Sequence, residues 1–126
     1  MPRVRVVIAN PAETLPKSTY KSSYRESQNL TTVHGAAEIR ATVPRLRAQL
    51  AIVDLELVTF LELAELCKEF PSTAFVCIHR LADDTMWTQA LAAGAVDCCV
   101  GTDLPRILEN ADRYVAIKQA EASTAA

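Results

Sequence analysis

Five segments of the chain have the hydrophobic pattern of β-strands, and segments with helical or polar patterns separate them. In the third segment, four consecutive apolar residues precede Asp54, which is typical of a strand that is covered on both faces. Strands that alternate with helices favour a parallel sheet, so the pattern predicts a doubly wound α/β fold with three layers. The predicted strands, β1 to β5, cover residues 3–9, 30–34, 50–55, 74–78 and 95–100.

Apolar residues at helical spacing predict five helices between and after these strands. Pro44 removes an internal hydrogen bond, so it should break or kink the second helix at the residue before it. Asp83 or Asp84 should cap the fourth helix, which ends at Gly94. Asp103 should cap the fifth helix in the same way. The predicted helices cover residues 14–28, 36–46, 59–70, 83–94 and 103–118.

The composition fits one globular domain in a chain of 126 residues. Half of the residues are hydrophobic and only 3 are glycine, which argues against a disordered chain. No apolar run reaches the roughly 18–20 residues of a membrane span, so we expect a soluble, cytoplasmic protein without membrane contact. Residues 1–118 are predicted to form the domain, and residues 119–126, which carry no core residue, to form a flexible tail or linker.

Neither the cysteines nor the charges indicate a specialised site. The 4 cysteines have no Cys-x-x-Cys spacing and fall in apolar segments, so they are predicted to be reduced core thiols. Cys77 and His79 share a strand face, but no ligand spacing supports a metal site there. The net charge is -2, and the basic residues are scattered through the first half of the chain. Direct binding of nucleic acid is therefore not predicted.

Two polar side chains end neighbouring strands of the predicted sheet. Asp54 ends β3 and His79 ends β4, and the carboxyl ends of parallel strands form the edge where such sheets place their chemistry. Asp54 is interpreted either as a functional carboxylate or as a strand-end residue that is hydrogen-bonded to the neighbouring backbone. A further hypothesis pairs Asp54 with protonated His79, which would make this crevice sensitive to pH.

Two short strings resemble the receiver domain of bacterial two-component response regulators. Residues 51–55, Ala-Ile-Val-Asp-Leu, resemble the third strand of that family with its phospho-accepting aspartate. Residues 93–97, Ala-Gly-Ala-Val-Asp, resemble the string that enters its fifth strand. The resemblance covers nearly the whole chain. It implies a flavodoxin-like or CheY-like fold with strand order 2-1-3-4-5 and with Asp54 at the switch crevice.

The sequence departs from that family at the positions that perform phosphoryl transfer. Active receivers carry two acidic residues at the end of β1, which help to hold Mg²⁺, where this chain has Ala9 and Asn10. The hydroxyl residue that ends β4 in the family is His79 here, and the lysine that ends β5 is Gly101. The resemblance therefore implies a degenerate receiver without catalytic residues, metal site or cofactor. Mg²⁺ would bind only if Asp54 were a working phosphorylation site.

Three functions are compatible with these residues. The leading one is a non-enzymatic, receiver-like module that binds protein partners, such as a sensor kinase or an output domain, without phosphorylation. The second is a conventional receiver that a histidine kinase phosphorylates on Asp54. The third, a small flavodoxin-like enzyme or nucleotide binder, has the least support because no glycine-rich loop follows β1.

The resemblance also implies a contact surface. Members of the family often dimerise through the side formed by the fourth helix, β5 and the fifth helix, so a homodimer through this side is expected here. Trp87, Ile107 and Tyr114 fall on this side and are the predicted apolar contacts, because aromatic anchors are common centres of interfaces. The alternative interpretation of Trp87 is an ordinary core position.

Overall fold

The structure, a computed structural model, describes residues 4–9 and 30–125. All five predicted strands are present in it, whereas the helix predicted at 14–28 lies outside the described residues. The strands are β1 (Val6–Ala9), β2 (Leu30–Val33), β3 (Leu50–Asp54), β4 (Ala74–His79) and β5 (Asp97–Val100). The helices are α1 (Ala36–Leu46), α2 (Phe60–Glu69), α3 (Asp84–Ala93), a 3₁₀ turn (Gly101–Asp103), α4 (Leu104–Glu109) and α5 (Ala111–Ala125).

The strands form one parallel sheet in the order β2-β1-β3-β4-β5. This order confirms the predicted fold class and the strand order that the resemblance implied. The register places Asp54 opposite Ile78 on β4, and Ala9 opposite Val53 on β3. Because β3 lies at the centre of the sheet, Asp54 emerges in the middle of its carboxyl edge.

Apolar side chains cover both faces of the sheet, because successive residues of a strand point to opposite faces. On one face, Val53 and Phe75 belong to the cluster that packs against α1, α2 and α3. On the other face, Ile52 belongs to the cluster that packs against α4 and α5. The sheet is therefore the middle layer of three, and its buried strands hold the residues of the carboxyl edge in fixed positions.

Local signals in the sequence set several helix ends. Thr59 and Glu62 form a capping box at the start of α2, in which the Thr59 hydroxyl accepts the Glu62 N–H at 3.1 Å and the Glu62 carboxylate accepts the Thr59 N–H at 3.0 Å. Asp83 caps α3 by accepting the N–H of Met86 at 2.9 Å, which confirms one of the two predicted caps. Gly94 ends α3 with a left-handed φ of 115°, also as predicted.

Two predictions about helices were wrong, and a third was wrong in part. Pro44 does not break α1, which continues to Leu46, because proline in the last turn removes only one hydrogen bond from the helix, and the predicted kink stays a prediction. Asp103 precedes α4, but its side chain accepts a hydrogen bond from Arg106 at 3.4 Å instead of capping the helix. The predicted last helix is two helices, α4 and α5, which meet at Asn110.

Helix α5 continues past residue 118, where the sequence suggested the end of the domain. Residues 119–121 are exposed, and the segment is rich in alanine, which has the highest helix propensity. Residues 119–125 of the segment predicted to be a tail or linker are therefore helical, while the division of the chain at residue 118 stays a prediction. Within the described residues, no helix is both long and apolar enough to cross a membrane.

The four cysteines are free and buried, as predicted. Burial raises the pKa of Cys67 and that of Cys99 to about 11, because apolar surroundings disfavour the thiolate. These two thiols therefore stay protonated at neutral pH and serve as core side chains.

Candidate functional site

Asp54 ends β3 with only 3% of its surface exposed. Its Oδ1 atom accepts a hydrogen bond from the backbone N–H of Glu56 at 2.8 Å. Burial raises the pKa of Asp54, because desolvation disfavours the carboxylate more than the Glu56 N–H favours it. This geometry agrees with the interpretation of Asp54 as a strand-end residue that is hydrogen-bonded to the neighbouring backbone.

One ion pair lies beside Asp54. The Arg80 Nε atom, just after β4, is 3.1 Å from the Glu56 Oε1 atom. The Glu56 carboxylate raises the pKa of Asp54 and Arg80 lowers it, and both effects are smaller than that of burial. Since Arg80 pairs with Glu56, no cation in the described part of the chain forms a salt bridge with Asp54.

The structure shows no direct Asp54–His79 pair, and the predicted pH sensitivity of this crevice stays a prediction. The His79 Nδ1 atom accepts a hydrogen bond from the backbone N–H of Leu81 at 3.0 Å, and no hydrogen bond or salt bridge joins His79 to Asp54. The two residues nevertheless lie close enough for His79 to lower the pKa of Asp54, an effect smaller than that of burial. Both residues therefore reach the predicted edge of the sheet.

The remaining positions predicted at this edge supply no charge. Ala9 is fully buried, Gly101 begins the 3₁₀ turn after β5, and Asn10 lies outside the described residues. Mg²⁺ requires near-octahedral oxygen ligands, whereas Asp54 is the one acidic side chain among the predicted positions and Glu56 is already paired. The residues that the structure describes around Asp54 therefore do not fit such a site. Over residues 4–9 and 30–125, no group of three or more His, Cys, Asp or Glu side chains is placed to hold a metal.

A second polar cluster, which sequence reasoning missed, surrounds Asp97 at the start of β5. Its carboxylate accepts hydrogen bonds from the indole N–H of Trp87 at 3.3 Å, the hydroxyl of Tyr114 at 2.8 Å and the N–H of Cys98 at 2.8 Å. Burial, together with the bond to Asp97, raises the pKa of Tyr114. The cluster joins α3, β5 and α5. Trp87 and Tyr114 lie 10 and 17 residues from Asp97 in the sequence, so no local pattern could have revealed this cluster.

The predicted contact surface needs one correction. Ile107 is fully buried on the side of α4 that faces the sheet. It lies three residues after Leu104, and residues at this spacing share one face of a helix. Trp87 is 47% exposed, so its interpretation as an ordinary core residue is wrong. Tyr114 is half-buried, with its hydroxyl bonded to Asp97. Two of the three predicted contact residues therefore retain exposed surface.

No protein-family model and no curated protein matches the sequence. A solved structure matches nearly the whole chain: the response regulator receiver domain protein (CheY-like) from Methanospirillum hungatei JF-1. Its TM-score is 0.76 at 20% sequence identity, and the match covers 94% of this chain and 98% of that chain. The chain has the fold of a receiver domain.

Two more solved structures share this receiver fold. The isolated REC domain of RcsB from Salmonella enterica serovar Typhimurium has a TM-score of 0.70 at 15% identity, covering 92% of this chain and 98% of that chain. The beryllofluoride-activated NtrC4 receiver domain dimer has a TM-score of 0.75 at 14% identity, and the match covers 94% of this chain and 99% of that chain. At these identities the likeness shows the fold, and the function must be argued from the residues on it.

The raised pKa of Asp54 in this receiver fold predicts a pH-dependent cost to stability. A carboxyl group with a raised pKa binds protons more strongly in the folded state, so the contribution of Asp54 to stability is most favourable below its ordinary pKa of 3.8 and falls as the pH rises through the folded pKa. Asp54→Asn keeps an acceptor for the Glu56 N–H but removes the charge. We expect the variant to gain stability over the wild type as the pH rises, in urea unfolding between about pH 3 and pH 8.

Exposed Asp112 supplies the matched control for this titration. Asp112→Asn should leave the pH dependence of the wild type in place, since Asp112 is not buried as Asp54 is. A constant difference between wild type and Asp54→Asn across the whole pH range would contradict the prediction.

Proposed function

We propose that this chain is a receiver-like module of a two-component signalling system, which acts in the cytoplasm by binding protein partners and has no enzymatic activity. In this proposal the module does not depend on phosphorylation of Asp54. The observation that carries it is the set of residues around Asp54: its carboxylate accepts the Glu56 N–H, and Ala9 and Gly101 stand where the resemblance places an acid and a lysine.

The chemistry of phosphoryl transfer explains why these residues matter. Attack by a carboxylate on a phosphoryl group brings negative charges together, and cations must offset that charge as it develops. Receivers use bound Mg²⁺ and a lysine for this purpose, whereas this chain offers Ala9 at the end of β1 and Gly101 after β5.

The proposed partner surface is the side formed by α3, β5 and α4. A groove of about 440 Å³ lies on this side, with Trp87 and Val100 at its wall. These two side chains are 47% and 36% exposed, and an exposed aromatic residue beside a groove is a common anchor of protein interfaces. A sensor kinase, an output domain or a second copy in a homodimer are the partners we propose for this side. One structure of the same fold is described as a dimer.

Intact-protein mass spectrometry tests whether Asp54 is phosphorylated. The protein is incubated with a small phosphoryl donor and Mg²⁺, beside a receiver that carries both β1 acids and the β5 lysine. We expect no labile gain of a phosphoryl group in this chain while the comparison receiver gains one.

The controls for this experiment are Asp54→Ala and omission of Mg²⁺. A rapid gain of one phosphoryl group that requires Mg²⁺ and disappears in Asp54→Ala would overturn the proposal. That result would identify a conventional phospho-accepting receiver instead.

A further inference from the structure

The groove of about 440 Å³ on the side of α3, β5 and α4 has a net negative charge, and we call it the acidic groove. Among the described residues, four carboxylates and one guanidinium group line it: Asp83, Asp84, Asp97, Asp103 and Arg106. Arg106 forms an ion pair with Asp103 at 3.4 Å, so these two charges offset each other. Three carboxylates remain, and within residues 4–9 and 30–125 none of them forms an ion pair.

This remaining charge is not cancelled by hydrogen bonds. Asp83 accepts the N–H of Met86 and Asp97 accepts neutral donors, and such bonds leave the negative charge on a carboxylate. The partial positive charge at the amino end of α3 is about half a unit, so it offsets only part of the total. The Cys98 thiol lies in the wall of the groove, and its pKa is raised by burial and then by the charges of Asp97 and Asp83. The carboxylates therefore act together on a group in the wall.

An exposed aromatic ring lies among these carboxylates. Trp87 on α3 is 47% exposed, and its indole N–H donates to Asp97 at 3.3 Å, which holds one edge of the ring. Val100, which is 36% exposed, adds an apolar surface in the same groove. The face of an indole ring attracts the ammonium group of lysine and the guanidinium group of arginine, and neighbouring carboxylates attract the same groups. The acidic groove therefore combines apolar contact with two kinds of attraction for a cation.

We propose that the acidic groove binds a basic segment of a protein partner, with an arginine or lysine side chain against the Trp87 ring and an apolar side chain against Val100. Charge complementarity selects this occupant, since an acidic segment or a nucleic acid would bring like charges together. A second copy of this chain fits the groove itself less well, because a two-fold pair would bring two acidic grooves together. The inference rests on the proposed function, since it specifies the partner of a module that works by binding.

Trp87 is the single tryptophan of the chain, so its fluorescence reports directly on the acidic groove. The full chain is titrated with a capped peptide that contains Leu-Arg-Lys-Arg, and the matched control peptide carries glutamine in place of each basic residue. We expect a saturable change in fluorescence with the basic peptide, and an affinity that falls as salt is added. The glutamine peptide should bind at least about tenfold more weakly.

Two variants separate the charge of the groove from its aromatic ring. Asp84→Asn removes one charge and leaves the cap of α3, which Asp83 provides, so the affinity for the basic peptide should fall about threefold. Glu38→Gln, which changes an exposed acid in the first turn of α1, is the matched control and should leave the affinity unchanged. In Trp87→Leu, with binding followed by NMR chemical shifts, the affinity should fall at least about tenfold.

Equal binding of the glutamine peptide, unchanged affinity in Asp84→Asn, or an equal loss of affinity in Glu38→Gln would overturn the inference. A change in Trp87 fluorescence on concentrating the protein without peptide would place a second copy in the groove and would overturn it as well. Phosphorylation of Asp54 is measured independently, so a failure of the proposed function and a failure of this inference are recognised separately.

Discussion

Mg²⁺-dependent phosphorylation of Asp54 is the expected result in the triple variant that combines Ala9→Asp, Asn10→Asp and Gly101→Lys. The three changes introduce the residue types that the resemblance assigns to the ends of β1 and β5 in active receivers. In active receivers, as the resemblance implies, two carboxylates at the end of β1 complete an oxygen ligand set for Mg²⁺ with the third-strand aspartate, and the lysine offsets charge on the transferred group. Since one electrostatic contact to a transition state commonly changes the rate by a factor of about 100, we expect labelling at least about 100-fold above the wild type.

A second measurement distinguishes a working site from a misfolded variant. Without metal, the added carboxylates repel Asp54, so the triple variant should be less stable than the wild type. Mg²⁺ should raise the melting temperature of the triple variant but not that of the wild type, because a ligand that binds the folded state stabilises it. If the variant is folded by circular dichroism and binds Mg²⁺ but gains no phosphoryl group, the explanation based on missing charges is wrong.

Gly94→Ala is expected to cost about 2–4 kcal/mol of folding stability. Gly94 has a φ of 115°, which residues with a Cβ atom rarely adopt, and a Cβ built there lies 2.8 Å from the Cβ atom of Cys67. The contact therefore involves two groups that are fixed to the backbone, so α2 and α3 must move apart to relieve it. Urea or thermal unfolding of the variant measures this loss.

Gly35→Ala is the matched control for this prediction. A Cβ atom at Gly35 meets nothing within 4 Å, and its φ of 172° is ordinary extended backbone. We expect Gly35→Ala to stay within about 0.5 kcal/mol of the wild type. Adding Cys67→Ala to Gly94→Ala should restore little stability, because the Cβ atom of residue 67 remains. Equal stability of the two glycine variants would contradict the argument.

Local patterns predicted the elements of this fold well. The apolar runs before Asp54 and His79 mark buried strands, because only strands covered on both faces accept such runs. Gly94 marks the end of a helix because glycine adopts the left-handed conformation found there. Asp83 marks the start of that helix because its carboxylate accepts a backbone N–H of the first turn. The strand order depended on the resemblance to receivers, since the same strands can be ordered in other ways.

The positions of site residues relative to one another depended on contacts that the sequence does not encode locally. His79 was expected to pair with Asp54, but its Nδ1 atom accepts the backbone N–H of Leu81 instead. The ion pair of Arg80 with Glu56 joins residues from two different loops, and the Asp97 cluster joins two helices and a strand. Such pairs form where the packed sheet brings distant segments together.

The sequence by itself determined which segments are strands and helices, which side chains are apolar enough for the core, and that one carboxylate ends the central strand. The tertiary structure alone decided that Asp54 is buried, that Arg80 pairs with Glu56 beside it, that Ile107 faces the core, and that Trp87 and Tyr114 both bond to Asp97. The physical reason is that periodicity reports the environment of each element separately. The register of strands and the rotation of packed helices are fixed by the whole core at once.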